Sequence, residues 1–191
     1  VIAATADINT AADAARYTNF ETIKTNDSVN TSLVSGVTNL NITGGTSEVY
    51  SEMSAVQAAN VTFSGANTTS TVFTLADATG SSDSITIDLD SGTASTEVDV
   101  IGLSVIGIET VNLIATTGTN TTDDTAMGFL ANTADAVSAI NVTGGADATL
   151  NVVANTLDVV AVNIDASGMT GTADFTVATG VLVTGSTVTG T

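Results

Sequence analysis

The sequence has no Cys, His, Trp or Pro, and its only basic residues are Arg16 and Lys24. Without His and Cys, the chain lacks the usual general base, the thiol nucleophile and the preferred zinc ligands. No Lys or Arg follows residue 24, so most of the chain has no side-chain cation to hold a phosphate or an oxyanion. We therefore expect no enzyme activity and no nucleic acid partner, because nucleic acids are bound through Lys and Arg.

Long apolar runs are also missing. Thr, Ser, Asn or Gly interrupts every apolar stretch well before the 18 or so residues that a membrane-spanning helix needs. Membrane insertion is therefore not expected. The chain begins at Val1 with neither Met nor a basic leader, which predicts an internal piece of a longer protein, with any secretion signal outside it.

The sequence is rich in acidic and β-branched residues. Twenty Asp and Glu give a net charge of −18 over 191 residues, yet 43% of the residues are hydrophobic. Disordered chains of high charge lack Val, Ile and Leu. Here these residues alternate with polar ones, as in Ile85-Thr86-Ile87-Asp88-Leu89-Asp90. The alternation predicts half-buried strands, separated by turns of Gly, Ser, Asn and Asp.

A nine-residue pattern occurs twice. Residues 37–45, VTNLNITGG, reappear as residues 137–145, VSAINVTGG, and looser copies are centred on Asn60, Asn112 and Asn163, with a degenerate copy at residues 20–25. Repeats about one coil apart predict stacked coils with Val and Ile ladders inside. We expect an all-β fold over residues 1–191, as a single domain or array forming an irregular β-solenoid. A β-sandwich is the alternative, but it gives no reason for the repeated pattern.

The repeated pattern also predicts local features. The Gly pairs at residues 44–45 and 144–145 are expected to form coil corners with positive φ rather than phosphate loops, because no Lys follows them. Asn41 and Asn141 are expected in outward ladders. Little helix is expected, at Ala11–Arg16, Glu52–Ala59 and Asp123–Ala131. The side chains predicted to face inward are those of Leu40, Ile42, Val111, Leu113, Ile140, Val142, Val162 and Ile164.

The repeats resemble the lattice-forming C-terminal region of Gram-negative S-layer proteins that are exported by type I secretion. Those proteins carry many copies of Ile/Val-Glu-Thr-Val/Leu-Asn-Leu/Ile, which residues 108–113 match fully and residues 20–23 match less well. Residues 75–83, 117–122, 142–146 and 164–172 look like segments that follow one another in that order in such proteins.

The resemblance implies a calcium-dependent, strand-rich structural subunit of a cell-surface coat. Such a subunit is extracellular and contacts copies of itself, and contacts with surface polysaccharide are expected from regions outside this segment. The family's calcium-binding nonapeptide is absent, since residues 144–147 carry only its opening glycines. Its metal site therefore has no counterpart here.

Repulsion among the carboxylates independently favours bound cations, because two like charges about 4 Å apart repel by about 1 kcal/mol even in water. Ca²⁺ fits a chain that offers only oxygen ligands. The candidate metal ligands are Asp77 with Asp83, Asp88 with Asp90, and Asp123 with Asp124. For each pair the alternative is a solvated acidic turn that keeps a secreted protein in solution.

Two glutamates of the repeat, Glu21 and Glu109, have three open interpretations. The side chain of each glutamate is expected either to cap a turn, to bind a cation at the edge of a coil, or to be exposed without a partner in the protein.

Two other functions remain open. A type I-secreted adhesin or carbohydrate-binding module has repeats of the same style. A polysaccharide-cleaving β-helix would use paired acids such as Asp123 and Asp124. The chain, however, lacks cations to neutralise acidic sugars, and Tyr17 and Tyr50 are its only Tyr residues, with no Trp to stack on a sugar ring.

Overall fold

The structure, a computed structural model, describes residues 8–34, 36–93, 98–116, 125–129, 136–152, 161–170, 175–179 and 184–190. Within these ranges, eight odd-numbered strands form one sheet and seven even-numbered strands form a second. The first sheet contains β1 (Thr22–Thr25), β3 (Asn39–Ile42), β5 (Val61–Phe63), β7 (Ser84–Leu89), β9 (Thr110–Ala115), β11 (Ala139–Gly144), β13 (Asn163–Met169) and β15 (Thr187–Thr189). The second contains β2 (Val29–Asn30), β4 (Gly45–Met53), β6 (Asn67–Leu75), β8 (Val100–Ile106), β10 (Thr125–Phe129), β12 (Ala148–Val152) and β14 (Phe175–Thr179).

The chain alternates between the two sheets, and every strand pairs in parallel with the strand two places along. Each coil therefore adds one strand to each sheet, which makes the fold a β-solenoid and excludes the sandwich. In the first sheet, one column of register partners, one residue from each strand, runs through Ile23, Leu40, Val61, Ile87, Leu113 and Val142. Successive residues of this column are 17, 21, 26, 26 and 29 positions apart in the sequence. The coils share a register but differ in length.

The core lies between the sheets and consists of stacked apolar side chains. All eight residues predicted to face inward are no more than 2% exposed, which confirms the prediction. Three aromatic rings also fill this space: Tyr50 stacks on Phe73 at 5.5 Å between centroids, and Phe63 meets Phe73 edge-on at 6.2 Å. Burial of this apolar surface is the main stabilising contribution to the stack.

The repeated pattern predicts the register at some coil contacts and misses it at others. It correctly aligns Val111 with Ile140 and places Asn112 beside Asn141, where the Asn141 amide donates to Asn112 Oδ1 at 2.9 Å. The alignment of Ile140 with Val162 is wrong, because Ile140 pairs with Ile164. A shift of two residues keeps every side chain on its own face, so burial does not reveal the shift.

The predicted outward Asn ladder is therefore shorter than the pattern indicates. Asn141 has Asn112 on one side and Asp165 on the other, while Asn163 pairs with Ala139. Asn41 lies between Lys24 and Thr62.

Glycines make the sharp corners between the sheets. Gly44 and Gly144 have φ values of 124° and 119°, and Gly45 has 153°, as predicted for coil corners. Gly145 does not have a positive φ, so in the second pair the prediction holds for Gly144 and is wrong for Gly145. At Gly144 a Cβ atom would overlap the backbone carbonyl of Ala115 on the previous coil. This corner therefore needs glycine both for its φ and for the close approach of two coils.

The described residues contain two short α-helices, α1 (Ala11–Ala14) and α2 (Ala55–Ala58), and a 3₁₀ turn over Thr31–Leu33. The helices lie inside two of the predicted segments, and α2 begins with a capping box between Ser54 and Gln57. The helix predicted at Asp123–Ala131 is wrong over its described part, because residues 125–129 form β10. Pairing with β8 and β12 on both sides outweighs the weak local preference for helix.

Candidate functional site

Two of the predicted carboxylates, Asp77 and Asp83, line one surface cleft of about 450 Å³. Asp77 follows β6 and Asp83 precedes β7, so the loop between these strands brings the two together. Met53, the last residue of β4, and Ser54 after it also line the cleft. The cleft therefore lies at the edge of the stack, between neighbouring coils.

Hydrogen bonds already occupy one of these carboxylates. Asp77 Oδ1 accepts from the hydroxyl of Thr79 at 2.7 Å and from its backbone N–H at 3.2 Å. These two bonds lower the pKa of Asp77 below its ordinary value. Asp83 differs, because its Oδ2 atom is buried and has no hydrogen-bond partner. The cleft is therefore lined by one carboxylate whose Oδ1 is hydrogen-bonded and by another whose buried Oδ2 lacks a partner.

Glu109 caps the backbone of the preceding coil. Its Oε2 atom accepts from the backbone N–H of Asp83 at 2.8 Å, while its own N–H donates to the carbonyl of Asp83 at 3.0 Å. Of the three interpretations of Glu109, the structure shows the cap. The side chain of Glu21, at the matching position of the repeat, is exposed, and its backbone carbonyl accepts from Thr38 and Asn39.

The second predicted pair, Asp88 and Asp90, lies at the outer side of β7. Asp88 Oδ1 accepts from the Thr116 hydroxyl at 2.5 Å, and Asp90 Oδ1 accepts from the Gly92 N–H at 2.8 Å. Partial burial raises the pKa of Asp88, the bond from Thr116 opposes this shift, and the nearby charge of Asp90 adds to it. The pair is therefore close enough for its members to repel each other.

The third pair, Asp123 and Asp124, lies outside the described residues. Among the residues that are described, no group of three or more acidic side chains is arranged to hold a metal ion. The two described pairs, Asp77 with Asp83 and Asp88 with Asp90, therefore do not form one cluster.

The two outer surfaces of the solenoid differ in charge. On the eight-stranded sheet, Lys24, Asp88 and Asp165 lie at outward positions. On the seven-stranded sheet, the outward side chains of β4, β6 and β8 include an uncharged set that we call the neutral face: Ser47, Val49, Ser70, Val72, Thr74 and Ile106. Val49 and Ile106 are 43% and 52% exposed. The exposed acid of these three strands, Glu52, lies beyond the neutral face at the end of β4.

Sequence reasoning missed one buried acid. Glu48 is only 6% exposed and faces inward from β4, on the same side as Tyr50. In the sequence it is a single acid between Ser47 and Val49, with no acidic neighbour to mark it. The available signal was its position three residues after the corner glycine Gly45, where exposed backbone N–H groups attract a carboxylate.

Comparison of the chain with family models, with curated proteins and with solved structures gave no match. In the described part of the chain, no helix is long and apolar enough to cross a bilayer. Function must therefore be argued from the residues and their geometry.

Proposed function

We propose that this protein is a structural subunit of a cell-surface S-layer that lies outside the cell, is stabilised by Ca²⁺ and contacts copies of itself. The observation that carries the proposal is the neutral face on a chain with a net charge of −18. The repeats of the sequence, which resemble those of S-layer proteins, give the proposal its biological setting.

The physical argument concerns how two such chains approach each other. Facing carboxylates repel, and the repulsion grows as water is excluded between them. Contact through the neutral face brings no like charges together, and it buries the exposed parts of Val49 and Ile106. At about 25 cal/mol per Å² of buried apolar surface, repeated contacts of this kind favour association.

The proposed Ca²⁺ site is the cleft that Asp77 and Asp83 line. Ca²⁺ binds carboxylate and backbone oxygens in irregular turns, and Asp83 Oδ2 is an oxygen without another partner. A cation here would reduce repulsion along the coil edges, so that two acidic solenoids can pack side by side.

The test compares assembly of the protein with that of two variants. Ile106→Glu places a charge on the neutral face, while the matched control Asn163→Glu places one at an exposed position of the opposite sheet. The Thr187 hydroxyl donates to Asn163 Oδ1 at 2.6 Å, and a glutamate at this position also carries a side-chain acceptor oxygen. Light scattering and negative-stain microscopy, with CaCl₂ or with a chelator, follow the formation of ordered sheets or filaments.

The wild-type protein and the control are expected to assemble with Ca²⁺ and to disassemble with chelator, whereas Ile106→Glu stays dispersed. Equal assembly of both variants would contradict the role of the neutral face. A wild-type protein that remains monomeric with Ca²⁺ and binds one glycan saturably on an array would instead be an adhesin. Cleavage of a polysaccharide that disappears on substitution of Asp123 and Asp124 would make it an enzyme.

A further inference from the structure

Three polar side chains of two neighbouring strands, β4 and β6, face the interior of the solenoid after the corner between β3 and β4. Glu48 and Tyr50 face inward from β4, and Thr71 is the register partner of Glu48 on β6. Tyr50 and Thr71 are fully buried, and Glu48 is 6% exposed. A carboxylate and two hydroxyl groups therefore face the core from adjacent positions of two paired strands.

The corner holds the Glu48 carboxylate in place. Glu48 Oε1 accepts from the backbone N–H of Thr46 at 2.8 Å. The carboxylate also lies against Gly45, where any Cβ atom would overlap it. The position of the negative charge inside the stack is therefore fixed by the backbone.

The two hydroxyl groups lack partners. Tyr50 Oη and Thr71 Oγ1 are buried and make no hydrogen bond within the protein. The ring of Tyr50 is held by stacking on Phe73 at 5.5 Å, so the hydroxyl cannot turn to solvent. Buried polar groups without partners are rare in native proteins, and they commonly mark a bound ion or water.

No basic side chain balances the buried charge. The chain has two basic residues in all: Arg16 pairs with Asp13 at 3.3 Å near the surface, and Lys24 is exposed on the other sheet. A cation inside the solenoid would therefore meet the Glu48 carboxylate without competition from a Lys or Arg side chain.

We propose that Glu48, Tyr50 and Thr71 bind a small hard cation of the Ca²⁺ type inside the solenoid. The Glu48 carboxylate supplies the charge, the two hydroxyl oxygens supply neutral ligands, and backbone carbonyls or water complete the shell, as is usual for Ca²⁺. The site is structural, because it ties β4 to β6 at one corner. It is separate from the surface cleft at Asp77 and Asp83, and it does not depend on the proposed function.

Tyrosine-sensitised luminescence of Tb³⁺ tests this site. The chain has no Trp, and its only tyrosines are Tyr17 and Tyr50, so emission reports an ion near one of two rings. The protein is titrated with Tb³⁺ alone and then with competing Ca²⁺. The variants are Glu48→Gln, Thr71→Val and Tyr50→Phe, the control is Tyr17→Phe, and Asp83→Asn reports any ion that the surface cleft holds.

We expect saturable emission that Ca²⁺ displaces and that Tyr17→Phe retains. Tyr50→Phe should abolish it, and Glu48→Gln should weaken the apparent Kd at least about tenfold. Thr71→Val, which keeps shape and removes one oxygen, should weaken it less. Circular dichroism establishes that each variant is folded, and Thr71→Val and Tyr50→Phe keep the test decisive if Glu48→Gln does not fold.

Three results would overturn the proposal. The first is an absence of saturable emission. The second is emission that survives Tyr50→Phe, and the third is emission lost only in Asp83→Asn, which would place the ion in the surface cleft.

Discussion

The two outer surfaces of this solenoid enclose one core but have different chemistry. The eight-stranded sheet presents Lys24, Asp88 and Asp165 together with hydrogen-bonded Asn side chains. The neutral face of the seven-stranded sheet presents Ser, Thr, Val and Ile. Alternation along a strand requires only that every second residue suits the core. The outward residues are therefore free to differ, and the functional surface must be sought among them.

The largest expected effect on stability comes from substitutions at two adjacent residues of β11, one in the core and one on the surface. Ile140 is fully buried, whereas Asn141 faces outward. Ile140→Asp buries an unpaired charge, which costs more than about 4 kcal/mol and should prevent folding. Asn141→Asp removes the amide that donates to Asn112, and should cost about 1 kcal/mol.

Far-UV circular dichroism and urea unfolding of the two variants make this measurement. Cooperative unfolding of Ile140→Asp at a midpoint near that of the wild type would show that the inner wall is not where the structure places it.

A smaller effect is expected at the corners that separate the two surfaces. Gly144→Ala forces a Cβ atom onto the Ala115 carbonyl at a φ of 119° and should lower the free energy of unfolding by about 3 kcal/mol. The matched control is Gly92→Ala, where φ is 75° and no atom lies within 4 Å, and where only the backbone strain of about 1 kcal/mol applies.

Urea unfolding of both variants separates the two contributions. Equal losses would mean that the close approach of two coils at Gly144 contributes nothing beyond its positive φ.

The smallest effect concerns two carboxylates of the charged surface whose pKa values shift in opposite directions from 3.8. Burial raises the pKa of Asp88, so its stabilising contribution is present below pH 3.8 and is lost as the pH rises through the folded pKa. Bonds from Ser167 lower the pKa of Asp165, so its contribution is present above pH 3.8 and is lost as the pH falls through the folded pKa.

At neutral pH, Asp88→Asn is therefore expected to stabilise the protein slightly and Asp165→Asn to destabilise it slightly. Both differences from wild type should shrink at about pH 3, where the wild-type carboxyls take up protons. Urea midpoints at the two pH values make the comparison, and shifts of the same sign at neutral pH would contradict the assigned environments.

The sequence was sufficient to predict the fold because the alternation and the repeats both point to stacked strands. It was insufficient for the register at Ile140, because a shift of two residues leaves the alternation unchanged. Propensity alone also predicted a helix where β10 forms, since the pairing partners of β10 are far away in the sequence.

The candidate sites also differ in whether the sequence alone could predict them. Asp77 and Asp83 were found because they are close in sequence and one loop carries both. Glu48 was missed because its surroundings, Tyr50 Oη and Thr71 Oγ1, become visible only when β4 and β6 are in register. The alternation of residue types is also misleading on this strand, since Val49 is exposed while Glu48 is buried.

The parallel stacking of coils has a consequence for mechanical load. Each strand is bonded to the coils before and after it, so a pull between the two ends of the stack detaches coils from the ends in sequence instead of shearing the whole sheet at once. A freed coil of 17 to 29 residues releases roughly 60 to 100 Å of extended chain. Under tension the molecule would lengthen in steps of one coil, and the remaining coils would keep their core.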